Sequence, residues 1–222
     1  GGGGAFLWKN GRRIKYLGIS EAYGINGKGQ VVGNSESTSS GTLRFRASVW
    51  SNGTLKDLGT LGGIESRAFG INSQGQVVGY ATTSSGSTHA FLWSNGTMYD
   101  LGTLGGTESR AFGINNRGQV VGYATTSSGS THAFLWSKRT MHDLGTLGGT
   151  DSAATSINNR GQVIGYAKTS SGNSHAFVWA NGTMEDINSL IPTNSGLQQL
   201  GKLSVVTSSA ANSYEYSGSF PT

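Results

Sequence analysis

Short apolar runs, separated by polar joints rich in glycine, recur along this chain with a fixed period. In the clearest unit the runs are Ala90–Trp93, Thr97–Leu101, Arg110–Asn115 and Gln119–Ala124. Each is too short for a packed helix and rich in β-branched, aromatic or glycine residues, so each is expected to be a strand. Asn95-Gly96 divides the first pair, and both residues accept the positive φ of a type I′ turn. Asn52-Gly53 and Asn181-Gly182 repeat the signal, whereas Lys138-Arg139 occupies the same joint in another unit and should turn less comfortably. The second pair is joined by Asn116-Arg117-Gly118, with counterparts Gly27-Lys28-Gly29, Ser73-Gln74-Gly75 and Asn159-Arg160-Gly161. Glycine stands last in each, where a type I turn followed by a bulge needs left-handed backbone.

The runs are apolar at consecutive positions, as in Phe91-Leu92-Trp93 and Val120-Val121, so both faces of each small sheet must be covered. The five tryptophans, at 8, 50, 93, 136 and 179, mark a period of 42 or 43 residues. They divide the chain into repeats 5–46, 47–89, 90–132, 133–175 and 176–222. Four antiparallel strands per period, covered on both faces, describe a blade of a β-propeller. A parallel β-helix coils in one direction and has no place for an Asn-Gly reversal in every unit.

Loop lengths order the strands within a blade. The Arg110–Asn115 run is innermost, then Gln119–Ala124, His132–Trp136 and Thr140–Leu144, and Gly145–Asp151 crosses to the next blade. The chain therefore starts in mid-blade, with Ala5–Trp8 and Arg13–Leu17 as outer strands. Residues 1–18 and 197–222 are expected to share the closing blade. The expectation is an all-β fold, a β-propeller of five four-stranded antiparallel blades closed between the N- and C-terminal strands, with residues 1–222 as one domain.

Composition narrows the class. Only 12% of residues are charged and two are proline, which excludes a disordered polyelectrolyte or a collagen-like chain. There is no cysteine, hence no disulfide or thiolate metal site, and no apolar run of membrane-spanning length. The chain opens on four glycines rather than Met, as a fragment or processed product would. The net charge of +5 is uneven, since Lys9, Arg12, Arg13, Lys15, Lys28, Arg44, Arg46 and Lys56 crowd residues 1–56. That basic quarter is a candidate patch for an anionic polymer, while no helix-turn-helix pattern or aromatic ladder favours nucleic acid.

Candidate chemistry follows the phase. His89, His132 and His175 recur before Ala-Phe, with Arg46 in that place in the first copy. Lying on separate blades, they cannot converge on one metal, so a packing role is expected. Asp57, Asp100, Asp143 and Asp186 end the outer strands and should accept backbone N–H bonds at the turn into the crossover. Paired acid/base catalysis needs carboxylates in distinct environments, and a near-symmetric ring provides identical ones. No catalytic residue, metal or cofactor is therefore expected. The crossovers and the Thr-Thr-Ser-Ser-Gly-Ser-Thr loops should share one face, the short turns the other. The loop-rich face would present Glu65, Ser66 and Arg67, then Glu108, Ser109 and Arg110, then Asp151 and Ser152. Acid, hydroxyl and guanidinium side by side suit sugar hydroxyls, with avidity from repetition. The tryptophans are read as core between blades.

The phrases His89-Ala-Phe-Leu-Trp93, Asp100-Leu-Gly-Thr-Leu-Gly-Gly106, Gly113-Ile-Asn115 and Gly118-Gln-Val-Val-Gly122 resemble the HAF repeat. The resemblance covers residues 47–188, partly 5–46, and fails after about Gly196. It implies a secreted or cell-surface bacterial repeat protein and carries no active site with it. A non-enzymatic extracellular module that binds carbohydrate or another cell-surface ligand is the leading expectation. A ligand-free structural component of a surface assembly comes second, and a propeller-type polysaccharide lyase or hydrolase third.

Overall fold

The computed structural model describes residues 4–9, 12–39 and 42–190. Strands β1 (Phe6–Lys9) and β2 (Arg12–Tyr16) form an antiparallel pair. Four antiparallel blades follow. The first comprises β3 (Glu21–Ile25), β4 (Val31–Ser39), β5 (Thr42–Ser51) and β6 (Thr54–Asp57). The second comprises β7 (Gly62–Ile71), β8 (Val77–Thr83), β9 (Thr88–Ser94) and β10 (Thr97–Asp100). The third runs through β11 (Gly105–Ile114), β12 (Val120–Thr126), β13 (Thr131–Ser137) and β14 (Thr140–Asp143). The fourth holds β15 (Gly148–Ile157), β16 (Val163–Thr169), β17 (Ser174–Ala180) and β18 (Thr183–Asp186), with a 3-10 turn over Ile187–Leu190. Strand order within each blade follows the chain, as the loop lengths predict. The assignment of 197–222 to a closing blade lies outside the described residues.

The turns show why these sequences reverse where they do. Asn95 and Gly96 both take positive φ, as do Asn52-Gly53 and Asn181-Gly182. Lys138 and Arg139 adopt the same conformation at φ 50° and 66°, a region that side chains with a Cβ rarely occupy.

Consecutive apolar residues serve two different blade interfaces. Val77 packs with Val32, Val49 and Phe91 between the first and second blades. Its neighbour Val78 packs with Leu92, Val120 and Phe134 between the second and third. Val121, Leu135, Val163 and Phe177 fill the next interface, and Leu7 of β1, with Ala5, packs against the cluster of Leu17, Ile19, Val31 and Trp50 at the first blade. The core therefore lies between blades, as the covered-sheet reading requires. The tryptophans are a partial correction. Trp50 is buried, but Trp93, Trp136 and Trp179 are half-buried at the margins of these clusters. The fully buried aromatics are Phe91, Phe134 and Phe177.

Candidate functional site

The two faces divide as expected. Crossovers and the β8–β9 type of loop lie on one, and the inner Asn-x-x-Gly turns and outer Asn-Gly turns on the other. On the loop-rich face the phased acids of the outer strands act as clasps. Oδ1 of Asp57, Asp100 and Asp143 accepts the N–H of Gly59, Gly102 and Gly145 at 2.7–2.8 Å, and Asp186 accepts that of Asn188 at 2.9 Å. The other carboxylate oxygen meets Nδ1 of His89, His132 or His175 at 2.8, 2.7 and 2.5 Å. In the first blade Arg46 takes the histidine's place, 3.0 Å from Asp57. Because guanidinium and imidazole fill one position, its requirement is a donor to the aspartate, not a proton shuttle.

Burial pushes the Asp186 carboxyl up, but bonds from His175 and from the backbone and side chain of Asn188 outweigh it and hold the group below its ordinary value. A depressed folded value stabilises the protein above the unfolded pKa, and that stability is lost as pH falls through the folded value. Asp186→Asn should therefore destabilise at pH 7, with the gap to wild type closing below about pH 4. Urea denaturation at pH 7 and pH 3 measures it, and a gap that widens in acid would reverse the sign.

Three of the residues expected to meet ligand lie deep between the blades. Ser66, Ser109 and Ser152 are buried. Ser66 Oγ accepts the Ala47 N–H at 3.0 Å and donates to the Gly59 carbonyl at 2.6 Å, fastening each crossover to the blade before it. Ser109 and Ser152 repeat both bonds with Ala90 and Gly102, and with Ala133 and Gly145.

Glu65, Arg67, Glu108, Arg110 and Asp151 reach the clefts between blades. Arg67 lies over the Phe45 ring at 4.0 Å, 3.2 Å from Glu65 and 3.5 Å from Glu21 of the preceding blade. Arg110 lies over Tyr80 at 4.5 Å and 2.8 Å from Glu108, which also accepts the Tyr123 hydroxyl at 3.2 Å. Burial pushes the phenols of Tyr80 and Tyr123 up, against the neighbouring arginines, so both remain donors. The Arg110 and Glu108 side chains are each 36% exposed, whereas Arg67 is 16% exposed. In the fourth blade Ala153 replaces the arginine, and Asp151 pairs with Lys168 at 3.1 Å. Thr150, before burial's opposing effect and with help from Lys168 and the Thr131 N–H, draws the Asp151 carboxyl below its ordinary value.

A cleft of about 350 Å³ opens between the second and third blades. Ser85, Gly86, Ser87 and Thr88 form one wall, Thr107 and Glu108 the other. Of the basic N-terminal quarter, the side chains of Lys9, Arg12, Arg13 and Lys15 lie outside the described residues. Arg46 is held by Asp57, Lys56 Nζ sits 4.9 Å over Trp93, and Lys28 lies on the opposite face.

On that face sequence reasoning missed a relay. Asn26 Nδ2 donates to the Asn72 carbonyl, Asn72 to that of Asn115, and Asn115 to that of Asn158, at 3.0–3.1 Å. Each asparagine also donates to a glutamine four residues on, Gln30, Gln76, Gln119 or Gln162. The phased Asn and Gln were its only signal. A cavity of about 400 Å³ opens where these turns converge, with Ile71, Ile114 and Ile157 in its wall. Among the described residues no group of three metal-ligating side chains occurs, and no helix is long and apolar enough to cross a membrane.

No family model matches the chain, and no curated protein does. Solved structures do. The chain is similar to the β-propeller domain of the Trilobed protease from Pyrococcus furiosus, at 12% identity and TM-score 0.50, over 75% of this chain and 53% of that one. TolB from Acinetobacter baumannii matches at 15% identity and TM-score 0.52, over 75% and 40%. An acylaminoacyl peptidase from Pyrococcus horikoshii matches at 15% and 0.51, over 72% and 26%. The chain thus spans about half or less of these proteins. Together with the topology they show a β-propeller fold.

Proposed function

We propose that this protein is a non-enzymatic binding module that recognises a saccharide in the interblade clefts of its loop-rich face. The cleft between the second and third blades carries the reading. Its walls offer hydroxyls, backbone and one carboxylate, with the half-exposed Arg110 beside Glu108. Such a surface exchanges hydrogen bonds with a polyol, in which each hydroxyl both donates and accepts. The Phe45–Arg67 and Tyr80–Arg110 stacks hold the guanidinium groups in place, which reduces the cost of ordering them on binding. In this reading the protein acts outside the cell or at its surface, in keeping with the HAF-repeat resemblance, and its ligand is a polysaccharide or another cell-surface glycan.

The same reading includes a fifth blade completing the ring. Ile164 is 49% exposed on the fourth blade, whereas its counterparts Val78 and Val121 are buried by the blade that follows them. At the other end the antiparallel pairing of β1 with β2 and the packing of Leu7 at the first blade support their reading as an outer pair.

A glycan array followed by calorimetry on the best ligand tests the function. Glu108→Gln is expected to weaken binding by roughly 10- to 100-fold, the worth of a hydrogen bond to a charged group. Saccharide binding that survives both Glu108→Gln and Thr107→Val would remove the cleft from consideration, and turnover of the sugar would overturn the non-enzymatic reading.

A further inference from the structure

The carboxylates are segregated to one side of the molecule. Of the eleven acidic residues, Glu215 lies outside the described residues, and the other ten sit in crossovers or toward the loop-rich ends of their strands. The opposite face is basic. The third residue of each inner turn is Lys28, Gln74, Arg117 or Arg160, all exposed, and the outer turn of the third blade adds Lys138 and Arg139. None of these five cations has a salt-bridge partner among the described residues.

The cavity between the inner turns adds directed donors. Oδ1 of Asn116 accepts the Ser73 N–H at 3.0 Å, and Oδ1 of Asn159 accepts the Asn116 N–H at 2.9 Å. A backbone N–H can only donate, so these bonds fix which end of each carboxamide is oxygen. The Nδ2 groups of Asn116 and Asn159 are thereby left as donors at the cavity wall, where no hydrogen bond among the described residues engages them. Lys28, Arg117 and Arg160 each follow a wall residue directly in sequence and are exposed, and no carboxylate stands among the wall residues.

We propose that this cavity is a second binding site, selective for a multiply charged oxyanion. Its chemistry is that of phosphate, sulfate or carboxylate groups, which accept from carboxamide N–H groups and pair with guanidinium. A neutral polyol gains less here than an anion, because it carries no charge to pair with the exposed guanidinium groups. The site is independent of the saccharide reading and lies on the other face.

Calorimetric titration of the full chain at about 50 mM salt, with tripolyphosphate, citrate and neutral maltotriose as probes, tests the proposal. Saturable binding of tripolyphosphate or citrate, stronger than any binding of maltotriose, is the expected result. Whichever anion binds more tightly assigns the phosphate or the carboxylate source. Arg117→Gln with Arg160→Gln should weaken that binding by roughly tenfold or more, since each cation stands next in sequence to a wall asparagine. Lys138→Gln with Arg139→Gln removes the same charge from the same face, away from the cavity, and should change affinity less than about twofold. Equal losses in the two double variants would show diffuse surface charge instead of a site and overturn the proposal. Absence of saturable anion binding would overturn it too. All four positions are exposed, so the variants should fold, and circular dichroism checks that they do.

Discussion

Phe134→Ala is expected to lower the free energy of unfolding by about 3–5 kcal/mol, the range for truncating a large buried aromatic. Its side chain is wholly inaccessible and packs among Val78, Leu92, Leu101 and Ala111, so its removal opens a void across the interface of two blades. Neither blade can close that void alone, because each is held at other points by the Ser109 joint and the Asn72–Asn115 bond. Trp136 sits two residues on along β13, on the same side of the strand, yet at the margin of the same cluster. Trp136→Ala should therefore cost less than Phe134→Ala, despite removing the larger ring. Urea denaturation of both variants decides the matter, and a Trp136→Ala cost equal to or above that of Phe134→Ala would return the tryptophans to the centre of the core.

Gly122→Ala carries the second large effect, at or above the top of the ~1–3 kcal/mol range for overpacking. A Cβ there would lie 1.9 Å from the Arg110 carbonyl oxygen and 2.8 Å from the Ala111 Cα, both backbone atoms of the paired strand. No rotamer change relieves such a clash, so β11 and β12 would have to separate. Gly33, Gly79 and Gly165 make the same approach, at 2.0, 1.8 and 2.1 Å. Gly129→Ala is the informative contrast. It has open space around it but a φ of +87°, so its cost is the roughly 1–2 kcal/mol of a left-handed residue with a Cβ. If thermal melts rank Gly129→Ala as the worse variant, crowding between the inner strands is not what selects glycine at 122.

The architecture was readable because it rests on local rules. Asn95-Gly96 dictates a reversal, Val77-Val78 demands two covered faces, and loop length orders the strands. The depth of a residue along the interface between blades is not a local property. Ser109 and Glu108 are adjacent and share one period, yet one is a sealed joint and the other reaches a cleft. Periodicity places both on the same strand, and only the packing of the preceding blade separates them. Arg67 illustrates a related failure, since its partner Glu21 follows Leu17-Gly-Ile-Ser, where the second and third units have Leu-Gly-Thr-Leu-Gly-Gly. The asparagine relay was hidden for another reason. Each Asn-x-x-Gly was already accounted for by its own turn, so nothing in the sequence called for a second role across blades.

The second and third blades share a set of interblade bonds, from Ser66 and Ser109 to Asn72 and Asn115. During folding, a strand displaced by one whole repeat would therefore meet a partner almost as good as its own. Nearly the only discriminators are small ones, such as Ile64 against Thr107 and Ser73-Gln74 against Asn116-Arg117. Equivalence that makes the blades fit together thus also makes them exchangeable, both within a chain and between two chains that refold side by side. Slow, concentration-dependent refolding through swapped blades is the expected cost of building a propeller from copies.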